Sequence, residues 1–312
     1  MKSKVIILKT AGGELANQLW NAASIYAYAL ECGYAFYNPA FFEYGLFFRF
    51  APSNVLLKMV FFLPFKNYTQ RKNAFLRRVG RKLYEMYTNI VTFLFSGQII
   101  SWIDQQNRPF YLSPTQPPTE ILGALERAQK DIYFDGWLFR NPIGLKKYHQ
   151  EIRMYFEPRE DIQNRVTAHV QALRLRFVHL VGVHIRQGDY QVWREGKYFL
   201  DQKRVKKILE EYLDFFDKSA DTTCFVLTSD GAVDEAIFSG LNVLIRQDIA
   251  VADLFLLAST DRILGSESTF GAFAGYYGDI PFIVMQHEKM DWEYYKHKER
   301  FFEGKYSTMV HY

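Results

Sequence analysis

Four stretches of this 312-residue chain combine residue types that could hold a phosphorylated substrate. The first is His184-Ile185-Arg186-Gln187-Gly188-Asp189-Tyr190. Arg186 carries a planar guanidinium that stays charged at any working pH and fits phosphate oxygens. It follows His184 by two residues, so in an extended strand both point to one side, and Gly188 permits a tight turn beyond them. Taken alone, Arg186 would serve equally as a surface ion pair, and His184 as a zinc ligand, a base or a hydrogen-bond donor to ribose or phosphate. The second stretch, Ser266-Glu267-Ser268-Thr269-Phe270-Gly271, offers hydroxyls and backbone N–H groups at a helix start, where Ser and Thr are also the usual N-caps. Facing the same gap as Arg186, it would form a clamp able to stabilise a departing nucleoside diphosphate without a metal. Third, Asp253 sits in the apolar run Val251 to Leu257. An acceptor-only carboxylate there suits the adjacent N1–H and amino donors of guanine, or simply the positive end of a helix. Fourth, Thr10-Ala11-Gly12-Gly13 leads into a helix whose free backbone donors could hold an anion.

Positioning these residues requires a particular set of elements. Val5 to Leu8, the glycine loop and Gln18 to Leu30, apolar at helical spacing, read as strand, loop and helix. Ile132 to Leu138 reads as a strand, and Ile143 to Tyr155 and Glu160 to Leu175 as helices. From there short β-rich runs at 180–185, 223–228, 242–245, 262–264 and 282–285 alternate with helical stretches near 201–217, 232–239, 251–259 and 269–277. That alternation predicts a parallel sheet with both faces covered, whose ligands lie beyond the carboxyl ends of the strands. All but the fourth candidate stretch fall at such ends in the second half; the fourth follows the first strand of the chain. Residues 40 to 130 are expected to be helices and long loops. Within them, Arg71 to Phe95 has apolar residues at helical spacing beside the basic cluster Arg71, Lys72, Arg77, Arg78, Arg81 and Lys82. It reads either as an ordinary amphipathic helix with a solvated face or as a helix lying on a membrane surface.

Length predicts two domains, 1–177 and 178–312. The chain is 49% hydrophobic, 23% charged and +4 in net charge, which excludes a disordered chain and gives no sign of nucleic-acid binding. Cys32 and Cys224 have no partners at metal-ligand spacing, no Asp-x-Asp motif is present, and no run reaches the roughly 20 apolar residues of a membrane span. A cytoplasmic protein with no bound metal is expected, peripheral on the inner face of the membrane if residues 71–95 touch it.

Taken in order, the motifs resemble the α-1,2-fucosyltransferases and the wider superfamily of GDP-fucose-dependent fucosyltransferases. The family pattern His-x-Arg-Arg-x-Asp-Tyr is matched by residues 184–190, with Gln187 in place of the second Arg. Gly-Gly-Leu-Gly-Asn-Gln-Leu is echoed by Gly13-Glu14-Leu15-Ala16-Asn17-Gln18-Leu19. Tyr133-Phe134-Asp135-Gly136-Trp137-Leu138 looks like the family's Gly-Tyr-Phe/Trp-Gln stretch, and Ser268-Thr269-Phe270 falls where the family has Ser-Ser-Phe. The resemblance implies an α/β, GT-B-like fold of two Rossmann-like domains with a cleft between them. It further implies an inverting, metal-independent transfer of fucose from GDP-β-L-fucose to a glycan hydroxyl, α-1,2 to galactose, with no cofactor beyond the donor. By position, Arg186 would hold the β-phosphate, His184 the nucleotide, Asp253 the guanine, and Ser268, Thr269 and Phe270 would line the diphosphate site. Gly13 and Asn17 would contact the donor, or Asn17 the acceptor, from the other domain. For the base that deprotonates the acceptor, Glu14 is the first candidate, with Asp189 and Glu195 near the donor motif. The acceptor would be an oligosaccharide or a lipid-linked glycan. The alternatives are another nucleotide-sugar donor, or a non-catalytic sugar- or partner-binding protein that retains the fold, to which Gln187 points.

Overall fold

The computed structural model describes residues 3–10, 13–49, 74–103, 108–112 and 119–304, with side chains except at 74–77, 189, 193 and 194. They divide into two compact units, the first ending at Arg159 and the second beginning at Glu160. The class is α/β with parallel sheets, as expected.

In the first unit the order is β1 (Lys4–Lys9), α1 (Leu15–Glu31), β2 (Ala35–Tyr37), α2 (Ala74–Leu94), β3 (Ile99–Trp102), β4 (Phe110–Tyr111), α3 (Glu120–Arg127), β5 (Ile132–Gly136), β6 (Phe139–Arg140), α4 (Pro142–Lys147) and α5 (His149–Tyr155). A four-stranded parallel sheet runs β2-β1-β5-β3. Val5, Ile7 and Leu8 of β1 are fully buried, as are Leu19, Ala23 and Ala27 of α1, because a central parallel strand is covered on both faces. Two expectations change here. The helix expected over 143–155 is two, since Asn141 caps the first by accepting from the Gly144 N–H at 2.9 Å and Tyr148, at φ −107° and ψ 28°, leaves the helical region. Strand β3 is absent from the sequence reading because four residues at a sheet edge, only one of them buried, carry little periodic signal.

The second unit contains α6 (Glu160–Arg174), β7 (His179–Ile185), α7 (Gln202–Phe215), β8 (Thr223–Ser229), β9 (Val243–Arg246), α8 (Ala250–Leu257), β10 (Arg262–Gly265), α9 (Thr269–Gly278), β11 (Phe282–Val284) and α10 (Trp292–Tyr295). All five strands are parallel, in the order β11-β10-β7-β8-β9. Starting from β7 the chain winds outward to β9, returns to the other side of β7 and winds out again through β10 and β11. This is the doubly wound order with its reversal between β7 and β10, where the loops diverge and leave a crevice. Val181, Val183 and Ile185 of β7 pack with Val205, Ile208 and Leu209 of α7, so the even-numbered residues of β7 face the opposite side.

Compact packing separates the units at 159/160 rather than at the expected 177/178. Helix α6 belongs with the second unit: Val170 and Leu173 lie against Phe177, Leu180 and Cys224, and Arg174 donates at 3.0 Å to Asp261, which also accepts the Leu180 N–H at 2.8 Å. The helix expected near 232–239 is a single 3-10 turn, Glu235–Phe238, started by Asp234 accepting from the Ala236 N–H at 3.0 Å. Gln202 holds the residues before the turn: its Nε2 donates to the Ala232 carbonyl at 2.9 Å and its Oε1 accepts the Asp234 N–H at 2.8 Å.

Candidate functional site

The four residues that end β7 and start its loop are sorted by strand parity. His184 is 4% exposed, and its ring stacks on Phe270 of α9 with centroids 4.7 Å apart. Burial, then the charge of Arg186, hold its pKa down at about 3, so the imidazole is neutral at any working pH. Its Nδ1 is buried without a protein partner. Arg186, on the same side, pairs through Nε with Asp230 Oδ2 at 3.2 Å, and its guanidinium lies 5.1 Å from the Tyr190 ring centroid. Gln187 turns the other way, as Ile185 does. It is buried, and Nε2 donates to the Leu200 carbonyl at 2.9 Å. The residue at which the chain departs from the family pattern is therefore an internal strut for the loop leading to α7.

Asp230, at the end of the neighbouring strand β8, organises this turn. One oxygen accepts the N–H groups of Gln187 at 2.7 Å and Gly188 at 3.1 Å, while the other meets Arg186. The register His184 to Thr228 and Ile185 to Ser229 sets Asp230 directly beside Arg186. A side chain at Gly231 would meet Gln187 Cβ at 2.6 Å, so glycine is needed for the two loops to approach. Asp230 was visible in the sequence as a strand-end carboxylate, but its role depends on β7 and β8 being neighbours.

Across the crevice, the ladder between β7 and β10 extends one step past Gly265. Ser266 N–H donates to the His184 carbonyl at 2.9 Å, and Ser266 Oγ accepts the Arg186 N–H at 3.1 Å. Ser268 caps α9 by accepting the Phe270 N–H at 3.2 Å, so Thr269 and Phe270 begin a helix whose N-terminus opens at the crevice. Tyr190 donates to the Glu267 carbonyl at 2.9 Å and ties the loops together. His184, Arg186, Ser266, Ser268, Thr269 and Phe270, all named from the sequence, are brought together at the crevice, and Tyr190 and Asp230 hold the loops that carry them. A guanidinium and a helix N-terminus at a sheet's reversal point suit an anionic group. The side chain of Asp189 lies outside the described residues, and Glu195 is exposed in a short turn at φ +58°.

Asp253 lies in the first turn of α8, at the same carboxyl edge but beyond β8, where Arg165, His169, Arg246 and Asp248 help line a small pocket. Both of its oxygens accept the Asp248 N–H, at 3.2 and 3.3 Å. Burial pushes its pKa up to about 7 even though that hydrogen bond opposes the shift.

The first-unit candidates form a separate group at the end of β1. Gly13 adopts φ +85°, and a side chain there would strike Asn17 at 2.7 Å. Gln18 Nε2 closes the turn by donating to the Gly13 carbonyl at 3.1 Å. Glu14 stands at the N-cap of α1 without capping it. It is exposed and accepts from Tyr44 OH at 2.7 Å, with Arg81, itself paired to Glu43 at 2.6 Å, in electrostatic reach. Tyr44 carried no signal in the sequence, since its link to Glu14 runs through the fold. Among the described residues no three His, Cys, Asp or Glu side chains are grouped to hold a metal ion. Cys32 and Cys224 are free thiols.

No family model matches the chain, and no curated protein matches it in sequence. Solved structures do. A crystal structure of POFUT1 in complex with GDP-fucose is 13% identical, covers 91% of this chain and 99% of its own, and superposes with a TM-score of 0.53. A FUT1 mutant from Arabidopsis thaliana in complex with GDP is 15% identical over 93% of this chain and 72% of its own, at a TM-score of 0.49. NodZ α-1,6-fucosyltransferase soaked with GDP-fucose is 15% identical over 90% and 94%, also at 0.49. The chain shares the fold of POFUT1.

Proposed function

We propose that this chain is an inverting, metal-independent glycosyltransferase that moves L-fucose from GDP-β-L-fucose to a glycan hydroxyl. The observation that carries this reading is the Arg186 arrangement at the β7/β10 reversal: a guanidinium held by Asp230 and Tyr190 opposite the N-terminus of α9. These are the groups needed to take up charge on a departing diphosphate. Donor identity follows from the motifs, and the fold shared with POFUT1, a protein crystallised with GDP-fucose, supports it.

In the reaction the acceptor oxygen forms a bond to the anomeric carbon as the bond from that carbon to the β-phosphate oxygen breaks. The electron pair departs with GDP, and attack from the opposite face turns the β-linked donor into an α-linked product. Arg186 stabilises the leaving diphosphate, with Ser268, Thr269 and the α9 backbone beside it. His184, neutral, hydrogen-bonds the nucleotide through its unpartnered Nδ1, and Asp253 accepts from guanine. The acceptor proton goes to Glu14, which Tyr44 orients; Gly13 and Asn17 shape the loop that carries it. The α-1,2 linkage to galactose rests on the motifs, and the acceptor is an oligosaccharide or a lipid-linked glycan.

The test is thermal unfolding with EDTA present, comparing GDP, GDP-fucose, GDP-mannose and UDP-galactose. A ligand of the folded state at a hundred times its Kd adds about 2.7 kcal/mol, a shift of several degrees. Both GDP and GDP-fucose should stabilise the chain, UDP-galactose should not, and silence toward every guanine nucleotide would overturn the reading. For the base, Glu14→Gln is expected to lower kcat by about 10²–10⁴. Unchanged turnover in this variant would remove Glu14 from the mechanism.

A further inference from the structure

Helix α2 has two apolar faces, and among the described residues one of them is buried and the other exposed. Gly80, Tyr84, Thr88 and Val91 are buried against the first unit: Val91 packs with Ile6, Leu8 and Tyr133, and Tyr84 donates to the Leu8 carbonyl. The second face is formed by Val79, Leu83, Met86, Ile90, Phe93 and Leu94, all exposed, with Phe93 85% exposed and Met86, Ile90 and Leu94 at about 60%. Steps of four, three, four and three residues from Val79 to Phe93 keep this stripe on one side of the helix. At 100° per residue, Lys82 and Asn89 border it on the edge away from the protein, with Arg78 and Glu85 one row further out. Lys82 and Arg78 are exposed, and Arg81, the other described base nearby, is paired with Glu43.

We propose that this face docks on an anionic lipid bilayer, with α2 lying in the plane of the surface. The stripe supplies rings and branched chains for the acyl boundary, and the bordering edge supplies long basic side chains at headgroup height. Among the described residues no helix is long and apolar enough to cross a membrane, so the helix lies on the bilayer and does not span it. A second copy of the helix fits less well. The stripe covers about two heptads, where a coiled-coil seam needs three or four. The surface is independent of the donor site, so its test stands or falls separately from the transferase reading.

The experiment is flotation of the full chain with vesicles of phosphatidylcholine alone and of phosphatidylcholine with phosphatidylglycerol, at low and high salt. The wild-type chain should float with the anionic vesicles, less so at high salt. Ile90→Ser with Phe93→Ser, and separately Arg78→Glu with Lys82→Glu, should each lower the partition coefficient about tenfold or more. All four side chains are exposed, so thermal unfolding should match wild type and certify the fold of both variants. Failure to float with anionic vesicles, or flotation unchanged by both pairs of substitutions, would overturn the proposal. So would a concentration-dependent dimer in sedimentation velocity that Phe93→Ser dissolves, which would assign the face to a second copy.

Discussion

Arg186→Ala is expected to lower turnover by about 10²–10³, measured as GDP release with acceptor present, because one preorganised donor aimed at developing charge is commonly worth that much. The loss should fall on kcat more than on the apparent affinity for donor, since the charge on the bridging oxygen grows as the bond breaks. Arg186→Lys keeps the charge but gives up the planar fork, and with it the simultaneous approach to Asp230 and Tyr190. It should recover only part of the activity. Asp230→Asn is the companion variant, since it weakens the pairing to Nε while keeping an oxygen for the Gln187 and Gly188 N–H groups. A defect in the same direction as Arg186→Ala, but smaller, is expected. Arg186→Ala turnover within about threefold of wild type would remove this residue from leaving-group stabilisation, since that is far below the loss of one such donor.

GDP affinity should rise with pH up to neutrality and then level off, and Asp253 is the reason. Its pKa lies above the ordinary value of 3.8, at about 7, chiefly through burial, so below pH 7 the free protein carries a proton on this carboxyl. Guanine offers two donors and binds the ionised form, so below pH 7 binding has to expel that proton. Affinity then gains at most about tenfold per pH unit and flattens above 7. The sign for stability is opposite. A raised carboxyl pKa stabilises the unliganded fold fully below about pH 3.8, and that contribution is lost as pH rises through about 7. Titration calorimetry at pH 5.5, 7 and 8.5 would read the first effect and proton release together. Asp253→Asn should abolish the slope and weaken GDP by tenfold or more, since hydrogen bonds to a charged acceptor contribute about 1.5–3 kcal/mol each. A wild-type affinity that is level across this range would take Asp253 out of base recognition.

The strands and helices of the second unit were legible because their signals are local. Continuous β-branched and apolar runs such as Leu180 to Ile185 read as buried parallel strands, and Ser268 before Thr269-Phe270 reads as a helix start. Parity alone placed His184 and Arg186 on one side. The same rule carried Gln187 inward, yet comparison with a family pattern suggested a missing charge at the ligand, and only the hydrogen bond to Leu200 shows what that side chain does. Helix α6 could not be assigned to a unit from sequence because an amphipathic stripe reveals that a helix packs, not against what. The turn at 235–238 reads as a helix from sequence because a local window does not contain Gln202, which holds Ala232 and Asp234 from a distant segment.

Residue types and their spacing determined the α/β class, the strand-end positions of the candidate residues and the placing of the Arg186 guanidinium beside His184, since each is a property of a few neighbouring residues. Tertiary structure decided which strands are neighbours. The order β11-β10-β7-β8-β9 places Asp230 beside Arg186 and brings Ser266 and Phe270 across from them, while the packing of the first unit by itself brings Tyr44 to Glu14. Strand order follows from how whole layers bury their apolar faces, a sum over distant segments that no window of the sequence contains.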